Sequence, residues 1–299
     1  MDDKEFGRRL RQLRREKGLT MEQLCEDEKE ISVRQLGRIE AGKSKPTLSK
    51  MNSIAKRLGV SLYQLMPDYK PLPAAYLQIK YDLLRTPTYG HPDLLRQRAD
   101  LLQAVYEDYY DDLPEDEQVA LDALQSTYDV IETKTSDFGH GIIAEYFHQI
   151  QIKDRFSLND LLIIRLFVEH VRYHPDYKDA EEQLLALIET LLMQQNHLAK
   201  ADLFVLRDLL FAIVGLLGNW RVHHPMPDLF EAIDRIMQVT QDFQEKAILS
   251  MLRWKYARHV EKSEEQAYHY YQEAVAFARL IGNSHLVEQL EEDWNEESR

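Results

Sequence analysis

The sequence predicts an all-α protein in two parts: a compact head of five short helices, then a long array of paired helices. Three observations carry this. Apolar residues recur at helical spacing in both parts, and beyond residue 73 no Val/Ile/Thr alternation suggests a strand. Between the parts, "PDYKPLP" (67–73) places three prolines in seven residues, which no helix continues through. The charge also changes sign there. Residues 1–66 hold 15 Lys+Arg and 10 Asp+Glu, leaving 22 basic and 41 acidic residues in 67–299, so a basic head of +5 precedes an acidic body of −19. The expected domains are therefore 1–66, a linker at 67–73, and 74–299.

The full 299 residues exceed a usual single core, and 44% hydrophobic residues suffice for burial in both parts. The single cysteine, Cys25, excludes an intrachain disulfide and reads as a small core residue beside Leu24. The N-terminal "MDDKEFGRRLRQLRREKG" lacks the apolar centre of a signal peptide, so a cytoplasmic protein is expected. The most apolar run, Leu203–Leu217, contains Arg207 and Asp208 and is short for a bilayer, which makes it a core helix and leaves no membrane partner.

In the head, Phe6, Leu10 and Leu13 share a helical face, and Gly18 stands where that helix should stop. Thr20 with Gln23, Ser32 with Gln35, and Ser61 with Gln64 have the spacing of capping boxes, in which a hydroxyl accepts from the third amide and the amide side chain reaches back. Thr47 is a further N-cap, and Gly42 and Gly59 are further stops. Leu24, Leu36, Ile39, Leu48, Ile54, Leu58 and Leu65 supply the inward positions.

The segment Thr20–Glu40 is thus helix, turn, helix. It resembles the helix-turn-helix domain of the phage-repressor (XRE, Cro/C1) type in "LRQLRREKGLTMEQLC" and "SVRQLGRIEAGKSKPTLSKMNSIAKRLGVSLYQL". That resemblance implies that the helix opening at Ser32 enters a major groove and presents Val33, Arg34, Gln35 and Arg38 to double-stranded DNA. Arginine can bond bidentately to guanine, and Val33 can meet a thymine methyl. Thr20, Gln23, Ser32, Lys43, Ser44 and Lys45 stand at helix N-termini or in the following loop, where contacts go to phosphates. Arg38 has an alternative, an intramolecular pair with Glu40 or Glu16. The turn "EDEKEI" before Ser32 is longer and more acidic than is usual in the family. One such head reads few base pairs, so a dimer on inverted half-sites is expected.

The body reads as ten or eleven helices, an α-solenoid of antiparallel pairs. "EEQAYHYYQEAVAFARLIGNSHL" resembles the second helix of a tetratricopeptide repeat, with Ala267, Tyr271 and Ala274 at the packing positions. A helix-turn-helix head on such an array resembles the RNPP family of Gram-positive quorum-sensing regulators, particularly its Rgg and ComR members. "SVRQLGRIEAGKSKP", "GVSLYQLMPDY", "LRTPTYG", "YDDLP" and "NDLLIIRLF" carry the resemblance. It implies a cytoplasmic transcriptional regulator, not an enzyme, that binds a short hydrophobic, tryptophan-containing signalling peptide, dimerises with it and activates competence or related genes. The other function class is a helical-repeat protein that captures a protein partner, its head serving only assembly.

A peptide carboxylate needs a cation, and an indole favours guanidinium or aromatic faces. Arg165 and Arg207, charges within apolar helices, are the first candidates; Arg85, Arg96, Phe167, Gln244 and Trp254 follow. Internal ion pairs are the alternative, Arg165 with Glu169 and Arg207 with a neighbouring-helix acid. Glu169-His170-x₃-His174 has metal-chelating spacing, but without a third ligand the histidines read as solvent-exposed. No cofactor motif is present.

Two surfaces complete the expectations. Leu286, Val287, Leu290 and Trp294 form an apolar stripe on the last helix, which either caps its own array or crosses to a second protomer; dimerisation is expected to use it. "EDYYDDLPEDE" (107–117) contains seven acids and no base. Its Asp111, Asp112, Glu115 and Glu117 are expected to offer Arg34 and Arg38 a DNA-like field that holds the head off DNA until peptide binds, unless the loop serves solubility alone.

Overall fold

The computed structural model describes residues 3–65, 72–85, 92–174 and 179–297, and every regular element among them is helical. Most of the expected linker, 67–71, and most of "LRTPTYG" lie outside the described residues. By contacts the chain forms two compact units, Met1–Ala186 and Leu187–Arg299, a division that differs from the expected one because the head packs with the first half of the body.

The first unit begins with five helices: α1 (Asp3–Glu16), α2 (Met21–Cys25), α3 (Val33–Glu40), α4 (Leu48–Leu58) and α5 (Leu62–Leu65). Their ends follow from the local chemistry. Thr20 and Ser32 each cap a helix through a reciprocal box with Gln23 and Gln35, and Ser61 does the same with Gln64. Gly59 closes α4 in the left-handed region that favours glycine, with φ 65°. Phe6, Leu10, Leu24, Ile31, Leu36, Ile39, Met51, Ile54, Leu58 and Leu65 bury together, with Cys25 among them; Leu48, by contrast, is 38% exposed. Each fully buried large side chain contributes about 1.5–3 kcal/mol by leaving water. A Cβ on Gly7 would lie 2.4 Å from the carbonyl oxygen of Ile39, so α1 and α3 approach as closely as backbone permits. Beside that contact Glu40, its side chain fully buried, accepts from Arg14 at 2.6 and 2.8 Å and from Arg11 at 3.2 Å.

The same unit continues with α6 (Ala74–Arg85), α7 (Pro92–Asp108), a 3₁₀ turn at Tyr110–Asp112, α8 (Glu115–Thr133), α9 (His140–Gln151) and α10 (Leu158–Arg172). Helix α8 packs along α10, and α9 against α10. Tyr76, Leu83, Leu102, Val105, Leu113, Leu121 and Leu124 join α6, α7 and α8 in a second core. Ser157 caps α10 reciprocally with Asp160. Helix α11 (Ala180–Gln194) contains the boundary between the units.

The second unit holds α12 (Leu203–Trp220), α13 (Met226–Thr240), α14 (Lys246–Tyr256), α15 (Glu264–Leu280) and α16 (Ser284–Glu297), each packed on its sequence neighbour. The apolar run from Leu203 is a buried core helix, as expected. Ala267, Ala274 and Ala278 are fully buried against α14, small side chains that let the two helices close up. Helix α14 ends in a π-helical turn, Ala257–Glu261.

The histidine expectation needs correction. His170 is buried, its Nδ1 is 3.4 Å from the Phe138 carbonyl oxygen and its ring stacks on His174 with centroids 5.7 Å apart. It lies on the face of α10 turned to the core, and burial lowers its pKa below the usual imidazole value. Among the described residues no group of three or more His, Cys, Asp or Glu is placed to hold a metal ion.

Candidate nucleic-acid interface and the acidic surface that covers it

Helix α3 starts where the capping chemistry of Ser32 puts it, despite the long turn before it. Arg57 holds that turn by donating to the Leu24 and Cys25 carbonyls at 3.0 and 2.7 Å, and the Glu28 carboxylate accepts from the Val33 amide at 3.0 Å. From this start Arg34 points outward, its side chain 71% exposed, and Arg38 follows one turn later. Val33 packs partly on the head core. Gln35 is buried, accepting from the Ser32 amide and from Lys50 Nζ at 3.1 Å, so it braces the helix rather than facing outward. Thr20, Gln23 and Ser32 cap their helices; Lys43 is exposed and Ser44 half-buried in the loop that follows α3.

Arg38 does not pair with Glu40 or Glu16. Glu40 is taken by Arg14 and Arg11, and Glu16 accepts from Gln12 at 2.8 Å. The partners of Arg38 come from the body: Glu115 at the start of α8, Glu145 on α9 at 2.5 Å, and the Tyr146 hydroxyl at 3.1 Å. Tyr146 in turn donates to Glu115 at 2.9 Å. Burial opposes the charge on Arg38, but the hydrogen bond to Glu145 and the field of Glu115 raise its pKa above the ordinary guanidinium value. Arg38 Nε, also buried, has no acceptor. Arg34 is held more loosely, 3.4 Å from Glu145.

The loop after α3 is engaged as well. The Glu115 amide donates to the Lys45 carbonyl at 3.1 Å, Lys50 Nζ pairs with Asp116 at 2.6 Å, and the Thr47 hydroxyl donates to Asp116 at 3.0 Å. Lys45 Nζ reaches the Asp112 carbonyl at 3.3 Å. On the other flank the acidic turn closes onto the end of α9. Gln149 donates to the Glu28 carbonyl at 2.8 Å, and Lys29 pairs with Asp154. A cavity of about 420 Å³ lies between these flanks, lined by Ser32, Arg34 and Gln35 from the head and by Glu145, Tyr146 and Gln149 from α9.

The acids expected to meet the arginines are therefore sorted by the fold. Glu115 contacts Arg38, Asp112 touches Lys45, and Asp111 is exposed. Glu117 turns away from the head and is buried against α6, since it falls on the inward stripe with Ala120, Leu121 and Leu124. Asp116 and Glu145 also meet the head. Asp116 belongs to the acidic run 107–117; Glu145 lies 107 positions from Arg38, and no local pattern marks it.

The peptide candidates divide likewise. Arg165 pairs with Glu169 at 2.9 Å, the internal partner expected for it; Arg207 pairs with Asp242 at 2.7 Å and Asp208 at 3.0 Å, acids of the turn after α13 and of its own helix rather than of a neighbouring helix. Phe167 and Trp254 are fully buried, Phe167 stacked on Phe147 at 4.0 Å and Trp254 donating to Glu297, so both are core residues and not lining. Arg85, Arg96 and Gln244 are exposed, with Arg96 4.0 Å from Asp93. The stripe on α16 packs on its own chain: Leu290 is buried, Leu286 and Val287 partly so, Trp294 stacks on Tyr271 at 4.4 Å, and the Arg258 guanidinium lies over the Trp294 ring at 3.9 Å. Among the described residues no helix is long and apolar enough to cross a membrane.

Known proteins share this helical architecture. Residues 10–65 match the helix-turn-helix family and residues 73–294 the ComR tetratricopeptide family. No curated protein matches the chain. Among solved structures, ComR from Streptococcus suis is 50% identical over 100% of this chain and 97% of its own, with a TM-score of 0.82. The apo form of ComR from S. thermophilus is 28% identical over 99% of each chain, with a TM-score of 0.80. ComR from S. thermophilus in complex with DNA and its signalling peptide ComS is 29% identical over 96% of this chain and 98% of its own, with a TM-score of 0.64. With a matching head, a tetratricopeptide match over most of its length and half its residues shared with one ComR, the chain belongs to the ComR family.

Proposed function

We propose that the chain is a peptide-gated, DNA-binding transcription regulator of the cytoplasm, and that its described conformation is the one held off DNA. The observation that carries the reading is the position of Arg38. The side chain that the helix-turn-helix geometry offers to a base edge is instead closed between Glu115 and Glu145. Carboxylates stand where guanine and phosphate oxygens would, and they offer the same acceptor chemistry to the same guanidinium. Lys50, Thr47 and Lys45, around the loop suited to phosphates, are likewise engaged by α8. The greater similarity to the apo form of S. thermophilus ComR than to its DNA and peptide complex supports the same assignment.

A short hydrophobic peptide binding the tetratricopeptide domain shifts the population toward a free head, as any ligand with higher affinity for one state must. Arg165 and Arg207, with Arg85, Arg96 and Gln244, are the polar groups proposed for that peptide. Helix α16 is proposed to cross to a second protomer when the dimer forms, with Leu286, Val287, Leu290 and Trp294 as its apolar face.

The test is sequence-specific DNA retardation. An operator is enriched from a randomised duplex library with a variant whose docking acids are neutralised, and binding is then measured for Arg34→Ala and Arg38→Ala in that background. Each should lose about 1–3 kcal/mol at the enriched site and relax the preference at one base pair. Equal losses on all sequences would assign the arginine to phosphate contact, and no enrichment would refute the DNA-binding reading.

A further inference from the structure

The three acids that open α8 divide their work. Glu115 and Asp116 face the head, whereas Glu117, 6% exposed, enters a buried polar cluster behind them. One Glu117 oxygen accepts from Lys80 Nζ and from the Tyr76 hydroxyl, both at 2.6 Å; the other accepts from Asn159 Nδ2 at 2.8 Å. Asn159 closes the ring by accepting from Lys80 at 2.7 Å, and its Nδ2 is also 3.2 Å from the Asp116 carbonyl oxygen. Tyr76 and Lys80 come from α6 and Asn159 from the first turn of α10, so three helices meet on one carboxylate.

Such a cluster is unfavourable unless every member is satisfied, because a buried lysine and a buried carboxylate each need the other. It therefore fixes its helices relative to one another more sharply than apolar packing does, which tolerates sliding. The start of α8 is also a helix terminus, where the backbone has no preceding turn to hold it. Here the Glu115 amide is spent on Lys45 of the head, and the anchoring comes from below, through Glu117 and the Asp116 carbonyl.

We infer that Glu117, Lys80 and Asn159 are positioning residues for the docking acids, setting Glu115 and Asp116 against the head and tying that contact to the placement of α10. The inference rests on the docked reading above and adds its control. A displacement of α10 takes Asn159 with it, loosens the Asp116 backbone and Glu117, and so weakens the grip on Arg38 and Lys50 without touching either. Arg165 lies on the same helix, less than two turns beyond Asn159, so a ligand acting on α10 has a physical path to the head through a single carboxylate.

The experiment uses the full chain without peptide, with a fluorescent duplex carrying the enriched operator. Two substitution sets are compared: Asn159→Ala, which leaves the Lys80–Glu117 pair in place, and Lys80→Met with Glu117→Gln, which removes both charges together. Each should raise operator affinity about 5- to 10-fold, and exchange of the Glu115 amide, which donates to the Lys45 carbonyl across the contact, should quicken. The discriminating arm repeats Asn159→Ala on a Glu115→Gln, Asp116→Asn background. If Asn159 acts through those acids, the gain disappears there, while any loss of melting temperature stays additive. A gain of the same size in both backgrounds, or none in either set while thermal unfolding remains cooperative, overturns the inference. If Glu115→Gln, Asp116→Asn itself leaves affinity unchanged, the docked reading falls first and the positioning role with it.

Discussion

Neutralising the two carboxylates that hold Arg38 is the most direct way to ask whether the head is restrained by charge. In Glu115→Gln, Glu145→Gln the amides keep the shape and one acceptor oxygen each, so the variant removes charge with little change in packing. Hydrogen bonds to a charged group contribute about 1.5–3 kcal/mol and neutral ones about 1 kcal/mol, so each substitution costs about 1 kcal/mol of docking. The Arg38 side chain is only 26% exposed and the two acids 14% and 25%, so solvent screening trims this value modestly. The remaining cost is Arg38 itself, which would be left partly buried without a countercharge. Together these give about 2–3 kcal/mol, a shift of about 30- to 150-fold in the docking equilibrium. Because apparent affinity scales with the competent fraction, peptide-free operator binding should tighten by up to that factor, with the undocked affinity as its ceiling. Fluorescence anisotropy at low salt, where the attraction is least screened, reads it directly. Binding within twofold of the unaltered chain under those conditions would refute the argument.

Three further outcomes follow from the packing. Deleting α16 by truncation after Gly282 should abolish ligand-induced dimerisation, measured by light scattering at saturating peptide, and a truncated chain that still dimerised would remove α16 from the interface. Glu117 is held below the usual carboxylate range; burial pushes its pKa up, but the charge and hydrogen bonds of Lys80, Tyr76 and Asn159 outweigh it. Its contribution to stability is thus complete above about pH 4.5 and lost as pH falls through the depressed value, so acid melts of Glu117→Gln should lack that part of the transition, whereas in Lys80→Met the buried, unpaired acid should make the protein recover stability as it is protonated. Burial pushes the Cys25 thiol up to about 12, so iodoacetamide at pH 8 should label it only on unfolding, and fast labelling of the folded chain would contradict its place in the core.

What the sequence made legible was what is local. The capping boxes at Thr20, Ser32 and Ser61 need only four consecutive residues each, and all three form as read. The alanine spacing of α15 is also a one-helix property and survives in the fold. The acidic run was legible as charge but not as direction. Glu115 and Glu117 lie about 200° apart around a helix, so one meets the head and the other the core. The inward stripe of Ala120, Leu121 and Leu124 was the signal that could have separated them. Glu145 carried no comparable signal, because its role depends on α9 and α3 being brought together across more than a hundred residues. Phe167 and Trp254 were misplaced for a related reason: an aromatic ring satisfies a core and a groove equally well in sequence, and only packing on Phe147 or on Tyr271 tells them apart.

The close approach at Gly7 limits the ways in which this head can be controlled. With α1 pressed backbone to backbone on the end of α3, and Arg14 bound to Glu40 beside it, any tilt or register change of α3 within the folded head would drive it into α1 and break that buried pair. A ligand bound elsewhere in the chain consequently has no graded adjustment to make to α3. The reading surface is either presented whole or withheld whole, so partial occupancy by a signal should yield a mixture of fully competent and fully silent molecules rather than a population of weakened readers.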